Sequence, residues 1–131
     1  GASVLWWASA ENRPKFWPIR PFHPDLVLVV LGTNEAHFGA SLIRNLPPYL
    51  DRLLKRLKGT KADILWVGPP RMPSERTQRG AQAVLEMVVN RGVSLLDSRD
   101  CPMSMWDDGI HPDEKGQELW ASWIWAQVVR S

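Results

Sequence analysis

Six consecutive residues, Leu26-Val27-Leu28-Val29-Val30-Leu31, carry no polar side chain. A strand with one wet face alternates apolar and polar residues. An unbroken Val/Leu run therefore predicts a strand over 25–31 buried on both faces, as in a parallel sheet covered by helices. The run ends in Gly32-Thr33-Asn34-Glu35, so the strand opens at its carboxyl end into a polar turn.

The remaining chain supplies what such a sheet needs. Leu46, Leu50, Leu53, Leu54 and Leu57 recur at helical spacing within 40–58, with Arg52, Lys55, Arg56 and Lys58 opposite. Pro47 and Pro48 suit a first helical turn behind an Asn45 cap, so the regular helix is expected to start near 47. Residues 62–67 predict a second strand, followed by the loop Gly68-Pro69-Pro70-Arg71-Met72-Pro73. Ser74 caps a helix to about Arg91, with Ala81, Val84, Leu85, Val88 and Val89 inward. Val93 to Leu96 is a third strand, residues 97–111 are a long loop, and a last helix runs from Pro112 to about Val129. Residues 1–10 read as a weak helix, and four prolines deny residues 11–24 a long regular element. Strands alternating with helices imply right-handed crossovers, a parallel sheet and a three-layer α/β/α domain over residues 1–131.

Composition narrows the function classes. With 16 basic and 14 acidic residues the net charge is only +2. The one basic run, Arg52 to Lys61, reads as a solvated helix face, so no nucleic-acid partner is expected. No apolar run approaches the length of a membrane span, and residues 1–24 lack a signal-peptide pattern. Cys101 is alone, so no internal disulfide forms, and the compartment stays open. Eight tryptophans, at 6, 7, 17, 66, 106, 120, 123 and 125, exceed what a small core needs. Trp120 and Trp123 share a face with Ile124 and read as packing, whereas Trp125 points elsewhere.

Ligands of open α/β sheets bind outside the carboxyl ends of the strands. The turn at Asn34, the loop at Arg71 and the segment Asp107-Asp108-Gly109-Ile110-His111-Pro112 all leave such ends. His111 suits a general base. Asp108, three residues earlier, suits the carboxylate that holds its imidazole in one tautomer, with Asp107 as the runner-up. Asn34 suits an amide donor to a developing oxyanion. Trp106 is a candidate substrate-lining aromatic, and Arg71 and His37 stand near the same rim. Asp107, Asp108, His111, Asp113 and Glu114 match no strong metal-ligand spacing, so neither a metal nor a cofactor is expected.

Gly32-Thr33-Asn34-Glu35 after an apolar strand resembles the third block of the SGNH (GDSL-type) hydrolases. Asp108-Gly109-Ile110-His111-Pro112 before a helix resembles their fifth block, and the resemblance spans about residues 24–130. It implies a flavodoxin-like α/β/α fold and metal-free ester hydrolysis through an acyl-serine. His111 would be the base, Asp108 its orienting acid and Asn34 an oxyanion donor. A small ester or an acylated carbohydrate would be the substrate. Two departures stand out. Glu35 replaces the usual Asp, and no Gly-Asp-Ser is present.

Gly1-Ala2-Ser3 admits three readings: a second block with Gly1 lending a backbone N–H to the oxyanion, a degenerate first block with Ser3 as nucleophile, or a cloning scar. On the first, the N-terminal strands and the serine lie outside the chain. The strand at 25–31 then becomes a sheet edge, to be covered by an N-terminal fragment, a partner chain or a second copy. The alternative function is an inactive SGNH-fold fragment or binding module that needs a partner segment to supply the serine.

Overall fold

The computed structural model describes residues 3–12, 14, 19 and 21–130. Helix α1 (Val4–Ala8) is followed by β1 (Leu26–Val30), α2 (Thr33–Phe38), α3 (Ala40–Lys58) and β2 (Asp63–Val67). Then come α4 (Glu75–Asn90), β3 (Ser94–Leu96) and α5 (Glu114–Arg130). The three strands form a parallel sheet in the order β1-β2-β3. Leu26 pairs with Asp63 and Val30 with Val67 on one side of β2. Leu65 pairs with Ser94 and Val67 with Leu96 on the other. The expected α/β architecture is the one observed.

One face of the sheet carries the core. Val29 and Trp66 are buried there with the five leucines of α3, with Val84, Leu85 and Val88 of α4, and with Val4 and Ala8 of α1. The indole N–H of Trp66 donates to the carbonyl of Leu31 at 3.1 Å. That bond joins β2 to the point where β1 gives way to the turn at Gly32.

Four features differ from expectation. First, β1 is not buried on both faces. Val29 is 6% exposed, but Leu26, Leu28 and Val30 on the opposite face are 38%, 42% and 45% exposed. β1 is an edge of the sheet among the described residues, so it lacks a neighbour on one side. Second, α3 is helical from Ala40 and carries Pro47 and Pro48 in its interior. A helix-interior proline costs about 3 kcal/mol or more. Five buried leucines at about 1.5–3 kcal/mol each outweigh that cost, so packing holds the helix through both prolines. Third, Val89 is exposed, because it lies about 80° round the helix from Ala81, at the margin of the buried stripe. Fourth, Arg52 and Arg56 are not merely solvated. Arg56 donates to the carbonyls of Trp7 (2.6 Å) and Ser9 (2.8 Å), and Arg52 to that of Ala8 (3.3 Å). They satisfy the open C-terminal carbonyls of α1.

Helix α2 is an element the sequence reading leaves as a turn. It packs across α4 at Gly80, where an added Cβ would lie 2.7 Å from the carbonyl oxygen of Ala36. Gly80→Ala is therefore expected to force α2 from α4 and to lower stability by about 1–3 kcal/mol, the range for overpacking. Urea unfolding of the variant beside the wild type checks this, and an unchanged midpoint would contradict the close approach.

Candidate active site

The loop from residue 97 to Asp113 is pinned at its base and open at its tip. Met105 and Pro112 form an antiparallel bridge. The N–H of Trp106 donates to the carbonyl of His111 (2.9 Å), and that of Gly109 to the carbonyl of Trp106 (2.8 Å). Asp113 caps α5, its Oδ1 accepting from the N–H of Gly116 at 2.7 Å, so the regular helix starts two residues later than Pro112. Gly116 lies so close to the carbonyl of Ser104 that an added Cβ would stand 1.9 Å from that oxygen. The base of the loop and the first turn of α5 thus hold one another.

At the tip, Asp108 is locked by three contacts. Its Oδ1 accepts from the backbone N–H groups of Ile110 (2.8 Å) and His111 (3.0 Å). That leaves Oδ2 facing Nδ1 of His111 at 2.6 Å. An ionised carboxylate only accepts, so the shared proton belongs to Nδ1. The hydrogen bond from the His111 ring, then the two backbone N–H groups, hold the Asp108 carboxyl well below the usual range, at about 2. Asp107, the runner-up, is exposed, and it is Asp108 that meets the imidazole. The side chain of His111 is 64% exposed and open to solvent.

Asn34 is the second residue of α2 and is half-buried at the carboxyl end of β1. Glu35, next to it, is wholly buried, and its Oε1 accepts from the N–H of Val4 at 2.7 Å. This bond brings the start of α1 beside the Asn34 turn. Ser3 is the cap of α1, its Oγ accepting from the N–H of Trp6 at 3.1 Å. Gly1 lies outside the described residues. Glu35 is the residue the sequence reading undervalued. Its one local signal is a carboxylate set between an amide and an alanine soon after an apolar strand.

A small apolar cluster draws the three rim loops together. Ala36 of α2, Met72 of the loop after β2 and Ala81 of α4 are buried in contact, and Ile110, beside His111, packs against them. The N–H of Met72 donates to Oε1 of Gln78 at 2.8 Å, fixing that loop to α4. Of the residues expected to line substrate, Trp106 is exposed. His37 is also exposed and stacks edge-on against Phe38, with ring centroids 5.4 Å apart. Arg71 faces Asp100 at 3.9 Å in an open ion pair. Among the described residues no group of three or more His, Cys, Asp or Glu is placed to hold a metal ion. No helix among them is long and apolar enough to cross a membrane.

The model of the GDSL-like Lipase/Acylhydrolase family matches residues 1–119. Solved structures of similar fold include a carbohydrate esterase of family 3 from Talaromyces cellulolyticus, at TM-score 0.65 and 16% identity over 98% of this chain. A peptidoglycan O-acetylesterase aligns at TM-score 0.72 and 16% identity, also over 98%. A carbohydrate acetylesterase from Sinorhizobium meliloti aligns at 0.65 and 17% over 89%. The chain spans 67%, 43% and 66% of the length of those three proteins. No curated protein matches it.

The geometry makes a prediction that is independent of turnover. Because the folded-state pKa of Asp108 is depressed, its ionisation adds stability that is fully present above the ordinary carboxylate pKa. That contribution is lost as pH falls through about 2. The 13C shift of the Asp108 carboxyl is expected to titrate near 2 in the wild type. In His111→Ala the midpoint should rise towards the ordinary value while staying below it, since the backbone donors remain. A midpoint near 4 in the wild type would break the assignment.

Proposed function

Because the chain belongs to the GDSL-like Lipase/Acylhydrolase family, we propose that it carries the base and oxyanion parts of an SGNH-type ester hydrolase. The observation that carries this reading is the 2.6 Å contact between Asp108 Oδ2 and His111 Nδ1, with Oδ1 held by two backbone donors. In this reading Nε2 of His111 takes the proton of a serine as its Oγ bonds to the ester carbonyl carbon. Asn34 donates its amide to the oxyanion. Collapse breaks the bond to the alcohol, which leaves with the proton from Nε2. Water, deprotonated by the same nitrogen, then releases the acid and restores the serine. The esterases of similar fold act on carbohydrate esters by their descriptions, which favours an acetylated carbohydrate as substrate, with Trp106 and His37 at the rim.

The serine belongs, on this reading, to a strand that pairs with the open edge of β1. Leu26, Leu28 and Val30 lie exposed along that strand. A cavity of about 370 Å³ runs beside it, lined by Trp7, Ile19, Leu31, Leu53 and Leu57 among others. A parallel strand added there would end next to Asn34, where the reaction needs its nucleophile. The Ser3 hydroxyl caps α1, which argues against Ser3 as the nucleophile; the second reading is a non-catalytic module that needs a partner segment to supply the serine.

Hydrolysis of p-nitrophenyl acetate by the longest natural form of the protein separates these readings. Asn34→Ala is expected to lower kcat by about 10²–10³-fold, and Asp108→Asn by about 10⁴-fold. Turnover no greater than that of His111→Ala would remove the esterase reading. Intact mass after treatment with a serine-directed phosphonate shows whether Ser3 is labelled.

The edge makes its own prediction. Residues 1–131 alone are expected to self-associate on size exclusion, and Leu28→Lys to reduce this, as charges on an open edge do. A clean monomer from the unmodified chain would argue against a missing strand.

A further inference from the structure

Glu35 is wholly buried, yet only one of its two oxygens is used. Oε1 accepts from Val4, 31 positions earlier in the chain. Oε2 is buried and has no hydrogen-bond partner among the described residues. A buried carboxylate left half-satisfied is unfavourable compared with a neutral amide of the same shape. Burial of this side chain is therefore not accounted for by its own stability.

Its partner explains it better. Helix α1 has five residues, too few to persist without tertiary support. Arg52 and Arg56 of α3 hold its last turn. At its first turn Ser3 satisfies the N–H of Trp6 from within the segment. Val4 itself is buried in the core, and Glu35 adds a hydrogen bond that ties this end to the turn of Asn34.

We infer that Glu35 is a positioning residue, which fixes the first residue of α1, Val4, beside the turn that carries Asn34. Its consequence for rate rests on the ester-hydrolase reading above. The requirement is for an acceptor at the right distance rather than for charge. An aspartate, the residue usual at this place in the family it resembles, would set the oxygen back by about one carbon–carbon bond, roughly 1.5 Å. It could not span the 2.7 Å contact without moving α1.

The test compares Glu35→Gln, Glu35→Asp and Glu35→Ala by amide hydrogen exchange and by kinetics in the serine-containing protein. Glu35→Asp and Glu35→Ala are expected to speed exchange at the Val4 amide at least tenfold, with the Trp66 and Leu50 amides unchanged. In turnover they should lower kcat at least tenfold with KM within twofold. Glu35→Gln, which keeps the acceptor and its reach, should restore most of both losses. Unchanged Val4 exchange in Glu35→Ala would overturn the inference. So would equal acceleration of the core amides, or a Gln variant as impaired as the Ala variant. If the wild type does not turn over, the esterase reading fails, while the exchange pattern still decides whether Glu35 fixes α1.

Discussion

Trp66 lies in the middle strand, wholly buried, with its indole N–H donated to the carbonyl of Leu31. The ring fills the space between the sheet and helices α3 and α4, so its removal would open the centre of the core. Its polar end has a second effect. It satisfies a carbonyl just beyond β1, at the point where the chain leaves the sheet, and so fixes where Gly32 and α2 begin. The groups of the Asn34 turn are placed relative to that point. Asn34 follows it by three residues, Glu35 reaches back from it to α1, and Ala36 anchors the rim cluster that holds Ile110 beside His111.

The candidate site is assembled by two kinds of restraint. The Asp108–His111 unit is local. A carboxylate three residues before the imidazole folds back on the N–H groups of Ile110 and His111, and the turn aims Oδ2 at Nδ1. Such a unit can keep its shape although both side chains are substantially exposed. The Asn34 side is not local. It depends on the close contact of α2 with α4 at Gly80 and on a buried carboxylate joining α2 to a short helix far away in sequence. The first half of the site is tolerant of its surroundings, and the second inherits the state of the core.

β1 shows what a hydrophobic pattern reports. The uninterrupted Val/Leu run describes a strand with apolar neighbours on every side, and the described residues supply those neighbours on one face only. The row Leu26, Leu28 and Val30 remains in contact with solvent. The sequence pattern and the packing disagree at this strand, and both observations mark the same edge, the one that ends beside Asn34. The helix α3 shows the opposite case. Two prolines argued locally for a late start, and the burial of its leucines overrode them.

By itself, the sequence determined the order of the three strands and the longer helices, the parallel α/β class, the inward leucines of α3 and the pairing of Asp108 with His111, because these rest on periodicity and on contacts within a few residues. It also carried the short motifs from which the family could be read. Only the tertiary structure decided that β1 is an open edge, that Arg52 and Arg56 close α1, and that Glu35 is buried against Val4. Those outcomes depend on which surfaces meet across 30 to 50 residues of chain. A carboxylate or a guanidinium carries the same letter whether it meets water or the end of a distant helix.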